Sequence, residues 1–132
     1  MSIKTILFPS LNLAPQKRVF PEVPAQATIP RIIHQTFYNP ELPEALQKNV
    51  DQLKQLNPGW EYRFYDDAAI IKFISANYPP EVLAYFERID PRYGAARADL
   101  FRYLLLYKVG GVYLDIKSTA TRPLDAVLLP QD

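Results

Sequence analysis

The chain has 132 residues, of which 48% are apolar and 22% are charged, the balance of an ordinary soluble globular protein with one domain. Its 15 Lys plus Arg are matched by 14 Asp plus Glu, and no basic run reaches five residues, so nucleic acid is a poor candidate partner. The chain has no cysteine, which excludes disulfides, thiolate catalysis and cysteine-based zinc sites.

The amino-terminal segment 1–28 is predicted to be an extended arm or linker, because its closely spaced prolines forbid a long helix. A short apolar run starts at Thr5 and is ended by Pro9, before it reaches the 7–15 residues of a signal-peptide core. No apolar stretch approaches the roughly 20 residues that a membrane span requires. We therefore expect a cytoplasmic chain without a membrane span.

From residue 29 onward, strand patterns alternate with helical ones. Arg31 to Phe37 is short, β-rich and bounded by prolines, which predicts a buried strand. Pro43 to Leu56 has apolar residues at helical spacing, which predicts an amphipathic helix. Trp60 to Tyr65 has the two-residue period of a second strand.

The rest of the chain predicts three more helices and a third strand. The first helix begins at a cap formed by Asp66-Asp67 and runs to about Asn77, and the second runs from Pro79-Pro80 to about Ile89. The third helix is Arg92 to Val109, and Gly110-Gly111 closes it with a turn. The strand is Val112 to Ile116.

This alternation predicts an α/β domain over residues 29–132, because parallel strands need helical crossovers. Ligands of such sheets bind beyond the carboxyl ends of the strands. We therefore expect three segments to lie near one crevice, namely His34 to Tyr38, Tyr65 to Asp67 and Asp115 to Ser118.

The Arg92 to Val109 helix is apolar nearly all round, which is typical of a buried helix. Asp99 and Arg102 lie on one face of it, where an unpaired charge would cost several kcal/mol. They form either a self-satisfied ion pair or the lining of a polar ligand site. Asp115 ends the third strand, where a carboxylate can meet a metal ion or a sugar hydroxyl, or can serve as a turn residue.

Taken together, Ala95 to Tyr103 and Leu106 to Asp115 resemble the signature of family 32 glycosyltransferases. Ile29 to Phe37 and Asn57 to Asp67 resemble the opening strand and the second strand of that family. The resemblance covers about residues 29–123 and implies a GT-A-like, Rossmann-like domain that binds a nucleotide-activated sugar. Because family members continue well beyond this motif, we expect a domain that is truncated on its carboxyl-terminal side.

The resemblance also implies roles for individual residues. Asp99 and Arg102 would hold the hydroxyls of the donor sugar and support its diphosphate, and Asp115 is the first acid of the family's Asp-x-Asp motif. Lys117 stands where the second acid would be, although two carboxylates usually share a divalent cation with the diphosphate. Either Asp115 and other ligands hold Mn²⁺ or Mg²⁺, or the Lys117 ammonium balances phosphate charge, or Lys117 has no role.

For the nucleotide, the resemblance places His34, Gln35 and Phe37 near the base and ribose. Judged by residue type alone, a single histidine more often has a structural role, and an aromatic side chain at a strand end more often belongs to the core.

The function implied by the resemblance is transfer of a sugar from a nucleotide diphosphate sugar to a glycan or other hydroxyl acceptor, with retention of configuration, in polysaccharide or glycoconjugate synthesis. One rival is a non-catalytic remnant that binds a sugar nucleotide or a partner. A second rival is structural, with Asp99, Arg102 and Asp115 only locking helix to strand. The binding interpretations predict that these three side chains converge on one cleft.

Overall fold

A computed structural model describes residues 28–129 and 131–132. Apart from its last residue, the arm predicted over 1–28 lies outside the described residues. The described part contains three strands, four α-helices and one 3₁₀ helix: β1 (Ile32–Thr36), α1 (Glu44–Leu56), β2 (Glu61–Tyr65), α2 (Asp67–Asn77), α3 (Pro80–Arg88), α4 (Gly94–Lys108), β3 (Val112–Tyr113) and a 3₁₀ helix at Leu124–Ala126.

The three strands form one parallel sheet in the order β2-β1-β3. Along β2, the pairing runs from Ile32 opposite Glu61 to Thr36 opposite Tyr65. All three strands therefore end at the same edge of the sheet. This confirms the predicted α/β class and the placement of the three segments in one sheet, and it is compatible with a GT-A-like domain.

The third strand is shorter than predicted, since the ladder covers Val112–Tyr113 instead of Val112 to Ile116. The last backbone bond to β1 runs from the Leu114 N–H to the His34 carbonyl at 3.1 Å. Beyond it, the Asp115 carbonyl accepts from the Ser118 N–H at 2.9 Å. The strand ends because a local turn takes up the polar groups that the ladder would otherwise use.

The helix predicted over Arg92 to Val109 begins two residues later, at Gly94. Before it, Asp90 accepts from the Arg92 N–H at 2.9 Å with its carboxylate and from the Tyr93 N–H at 2.8 Å with its carbonyl. These bonds make a turn that delays the helix. The cap predicted for helix α2 is confirmed, because the Asp66 carboxylate accepts from the Ala69 N–H at 2.8 Å.

The chain divides into two compact units. The described part of the first, here called the helical unit, is Ile70–Lys108, and that of the second, the sheet unit, is residues 28–69, 109–129 and 131–132. In the helical unit, the Phe73 ring meets Phe101 edge-on at 5.7 Å. The Tyr78 hydroxyl donates to the Leu104 carbonyl at 2.6 Å, and burial raises the pKa of this hydroxyl.

Helix α4 is less buried than its apolar composition predicts. Its buried side chains are Leu100, Phe101, Leu104 and Leu105, whereas Tyr103 and Tyr107 are exposed. Tyrosine tolerates such positions because its hydroxyl remains in water while its ring covers apolar surface.

In the sheet unit, Ile33, Leu53 and Trp60 form the buried core. Asn57, which follows α1, donates to the Leu53 carbonyl and accepts from the Leu124 N–H, both at 2.8 Å. These bonds tie the end of α1 to the 3₁₀ helix. Six further side chains pack against the core: Tyr62, Val112, Leu114, Ala120, Leu124 and Leu128.

Candidate functional site

Asp99 and Arg102 form an ion pair on α4 in the helical unit, with Nη2 of Arg102 3.1 Å from Oδ1 of Asp99. The Asp99 side chain is 62% exposed and that of Arg102 37%, so neither charge is buried as the apolar helix predicts. A pair at the surface contributes only about 0–1 kcal/mol to stability. The arrangement therefore leaves both side chains within reach of a polar ligand.

In the sheet unit, His34 is completely buried in the central strand. Its Nε2 lies 2.9 Å from the Gly110 carbonyl, which can only accept, so Nε2 carries the proton. Its Nδ1 then accepts from the Tyr65 hydroxyl at 3.0 Å. Burial lowers the pKa of His34, which keeps the ring neutral. The His34 ring thus bonds β1 to the Gly110-Gly111 turn.

Gln35 is also buried, and its amide joins two parts of the sheet unit. Its Oε1 accepts from the Tyr62 hydroxyl of β2 at 2.9 Å, and its Nε2 donates to the Asp115 carbonyl at 3.2 Å. Tyr62 is a site residue that the sequence does not reveal. The two-residue period of the strand shows on which face of the sheet its side chain lies, but not which residue it contacts on the neighbouring strand.

Asp115 lies just beyond β3, at the edge where the strands end, and it is exposed. Its Oδ1 accepts from the Lys117 N–H at 2.8 Å, which closes a turn of the Asx type. The residue is therefore a turn former and an exposed carboxylate at once. The Lys117 side chain is exposed as well.

Phe37 and Tyr38 form an aromatic pair directly after β1, with ring centroids 4.6 Å apart. Phe37 is half-buried, whereas Tyr38 is 69% exposed. Tyr38 belongs to a segment expected near the crevice, whereas Phe37 is the ring that the resemblance places near the base and ribose. Contact of the nucleotide with either ring stays a prediction, as does convergence of Asp99, Arg102 and Asp115 on one cleft.

The Asp115 carboxylate suits a metal ion that needs few protein ligands. Within the described residues, no group of three or more His, Cys, Asp or Glu side chains is arranged to hold a metal ion. Asp115 supplies a single exposed carboxylate. That set fits a cation such as Mg²⁺, which keeps several waters and binds through one or two carboxylates plus substrate phosphates. A cation here would be shared with a bound diphosphate.

Comparison with known proteins places the chain in a family. Residues 43–132 match the family described as "glycosyltransferase sugar-binding region containing DXD motif". Inositol phosphoceramide mannosyltransferase 3 of Schizosaccharomyces pombe is 38% identical over 102 residues, which are 77% of this chain and 28% of that protein. A mannosyl phosphorylinositol ceramide synthase of Saccharomyces cerevisiae is 35% identical over 105 residues, which are 80% of this chain and 27% of that protein.

The initiation-specific alpha-1,6-mannosyltransferase of Saccharomyces cerevisiae is 32% identical over 72 residues, which are 53% of this chain and 15% of that enzyme. The chain thus spans less than a third of the length of these relatives. No solved structure matches the chain significantly. None of the helices in the described ranges is both long enough and apolar enough to cross a membrane. By its match over 43–132, the chain belongs to this glycosyltransferase family.

Proposed function

We propose that this chain is the donor-binding part of a glycosyltransferase that moves a sugar from a nucleotide diphosphate sugar to a hydroxyl acceptor. The observation that carries the proposal is the exposed Asp115 carboxylate at the carboxyl edge of the parallel sheet, inside the region that matches the family. Open α/β sheets bind their ligands at this edge.

The names of the relatives suggest which sugar and which acceptor to test. Two relatives are named for mannose transfer and for inositol phosphoceramide or its mannosylated product. We accordingly propose mannose as the sugar and a glycolipid hydroxyl as the acceptor, in glycoconjugate synthesis. Retention of anomeric configuration follows the family resemblance, and the cytoplasmic location expected from the sequence stays a prediction.

In this proposal, the protein mainly stabilises the departing diphosphate and positions the sugar. By the family resemblance, the Arg102 guanidinium would support phosphate oxygens, which its fork geometry suits, and the Asp99 carboxylate would accept from sugar hydroxyls. Asp115 would hold a divalent cation together with the diphosphate, and that cation would neutralise charge on the leaving phosphates. The Lys117 ammonium is the alternative source of that positive charge. No side chain is assigned as nucleophile or general base.

Asp115→Asn tests the proposal, because it removes the charge but keeps the oxygen that accepts from the Lys117 N–H. We expect affinity for GDP-mannose to fall at least tenfold, since a charge-assisted interaction contributes about 1.5–3 kcal/mol. The urea midpoint should stay the same. Calorimetric titration measures the affinity, with UDP-glucose as a second donor.

Asp51→Asn is the matched control, since Asp51 is an exposed acid on α1 whose carboxylate accepts from Gln47 at 2.9 Å. Its donor affinity should equal that of the wild type. A folded wild-type chain that binds neither donor, with or without Mn²⁺, contradicts the proposal. An Asp115→Asn variant that loses stability and keeps its donor affinity supports a purely structural role.

Lys117 decides between the two sources of positive charge. If its ammonium faces the diphosphate, Lys117→Ala should weaken donor binding about tenfold or more, and a chelator should have little effect. If a cation is shared with Asp115, the chelator should abolish binding and Lys117→Ala should change it little. Lys117→Asp restores the Asp-x-Asp pattern, and we expect it to make binding depend on Mn²⁺ or Mg²⁺ under either alternative.

A second candidate function is donor binding without transfer, which the lysine at position 117 favours, because the motif then has one acid. Slow hydrolysis of a bound donor, in which water takes the sugar and nucleotide diphosphate is released, is followed by NMR and distinguishes the two candidates. Release that is faster than in buffer and lost in Asp115→Asn supports the enzyme. Tight binding with no release supports a binding protein.

A further inference from the structure

The strand that leads to Asp115 is too short to hold this residue in place by itself. β3 pairs with β1 at two positions only, Ile33–Val112 and His34–Tyr113. The last backbone bond ends at Leu114. Asp115 therefore needs other contacts to keep its position.

Those contacts come from a chain of side-chain hydrogen bonds that crosses the sheet. The Tyr62 hydroxyl on β2 donates to Oε1 of Gln35 on β1, and Nε2 of Gln35 donates to the carbonyl of Asp115 beyond β3. The order of the partners, β2, β1 and β3, is the order of the strands in the sheet. We call the Tyr62 and Gln35 side chains, with the two bonds that they make, the cross-strand brace.

The chemistry of the partners determines how the brace is oriented. The Asp115 carbonyl can only accept, so the Gln35 amide must turn its NH₂ group toward it and its oxygen toward Tyr62. Burial raises the pKa of Tyr62 to about 12, so this hydroxyl keeps its proton and donates at neutral pH. Gln35 is only 1% exposed, so water has little access to its amide group.

The brace ends on the same peptide that carries the turn after β3. The Asp115 carbonyl accepts from Gln35 and also from the Ser118 N–H, and the Asp115 carboxylate accepts from the Lys117 N–H. A shift of this peptide would move the carbonyl and the carboxylate together. The brace therefore acts on the carboxylate through the backbone.

We propose that Gln35 and Tyr62 are positioning residues, which hold the Asp115 turn so that its carboxylate is preorganised for the donor diphosphate. The expected effect on the donor rests on the proposed function, whereas the effect on the turn does not. Both polar atoms of the Gln35 amide are bonded inside the sheet unit. In this proposal, the buried Gln35 amide acts on a nucleotide sugar through Asp115.

Tyr62→Phe is the central test, because it removes one hydroxyl and keeps the ring that packs against the core. Its matched control is Tyr78→Phe, which removes a hydroxyl that donates to the Leu104 carbonyl in the helical unit. Exchange of the Lys117 and Ser118 amides with water, measured by NMR magnetisation transfer, reports on the turn. Calorimetric titration with GDP-mannose reports on the site.

We expect Tyr62→Phe to speed exchange of these two amides and to weaken donor binding, each about three- to tenfold, the range for one lost buried hydrogen bond. Tyr78→Phe should change neither quantity by more than about twofold, although it also loses a buried bond. Unchanged exchange at Lys117 and Ser118 in Tyr62→Phe overturns the proposal, whatever the donor result is.

Changes at Gln35 test whether the two hydrogen bonds of the brace act as one unit. Gln35→Met removes both hydrogen bonds of the brace with little change in side-chain shape. Adding Tyr62→Phe to it should therefore have no further effect on amide exchange or donor affinity. Gln35→Glu keeps the acceptor for Tyr62 but turns an oxygen toward the Asp115 carbonyl, and it should be at least as damaging as Gln35→Met. Additive effects in the double variant overturn the proposal.

The outcomes also separate this proposal from the proposed function. If the wild-type chain binds no donor, the proposed function fails, and the exchange rates alone decide whether the brace holds the turn. If the wild type binds a donor and Tyr62→Phe speeds exchange but binds equally well, the positioning role is overturned and the proposed function survives.

Discussion

At the scale of single residues, His34 shows how a polar side chain is accommodated in the central strand of a sheet. Its two ring nitrogens are bonded to Gly110 and Tyr65, and its pKa is lowered because burial disfavours the charged ring. The contacts define a neutral ring with the proton on Nε2. Protonation of Nδ1 would remove the acceptor that the Tyr65 hydroxyl uses.

This arrangement predicts that acid destabilises the chain at a mild pH. His34 has a lower pKa in the folded state than its ordinary 6.5, so the unfolded state takes up the proton first as the pH falls. The free energy of unfolding should be largest above pH 6.5 and should decrease below it, by up to about 1.4 kcal/mol per pH unit. Urea unfolding at pH 7.5, 6.5 and 5.5 measures the free energy of unfolding at each pH.

His34→Gln is the control, since an amide can donate to the Gly110 carbonyl but does not titrate. This variant should be less stable than the wild type at pH 7.5 and nearly independent of pH down to 5.5. The chain has one histidine, so its NMR titration belongs to His34. An equal pH dependence in the two proteins would show that other groups cause it.

At the scale of elements, the Gly110-Gly111 turn connects α4 to β3. Both glycines have positive φ, 77° and 95°, a region that residues with a side chain rarely adopt. At Gly111, a Cβ would lie 2.7 Å from the Ile32 carbonyl oxygen and 2.9 Å from Nε2 of His34. The sequence predicts a turn at this glycine pair, and the structure adds the reason that the second position excludes even alanine.

Gly111→Ala should therefore lower the free energy of unfolding by roughly 2–4 kcal/mol, from backbone strain and overpacking together. Gly94→Ala is the matched control, because a Cβ there meets nothing within 4 Å and Gly94 is the first residue of α4. That change should stabilise the chain by about 0.5–1 kcal/mol. Urea unfolding gives both values, and equal values for the two variants would contradict the steric argument.

At the scale of the whole molecule, the even charge balance has a consequence for binding to polyanions. The formal net charge is +1 at pH 7, and acidic residues accompany basic ones along the chain. Few counterions would be released on contact with DNA.

We expect no binding to duplex DNA at 150 mM salt in fluorescence anisotropy, at protein concentrations where a nucleotide sugar binds. Any weak binding at low salt should show a slope of log K against log salt shallower than about −2, which corresponds to about two phosphate contacts. A slope of −5 or steeper would reveal a basic surface that the charge count does not predict.

The sequence by itself determines the order and type of the strands and α-helices, the α/β class and the family. Helical spacing over Pro43 to Leu56, alternation over Trp60 to Tyr65 and the motif that ends at Asp115 are local patterns, and each is legible without knowing what packs against it. The corresponding helix and strand lie where these patterns predict, and residues 43–132 match the family.

Only the tertiary structure decides what the site residues touch. Gln35 bonds to Tyr62, 27 positions away, and to Asp115, 80 positions away, and these pairings depend on the register of three strands. The exposure of the Asp99–Arg102 pair likewise depends on which groups the fold brings near it. Local periodicity specifies the face on which a side chain lies, whereas register between distant strands specifies its partner.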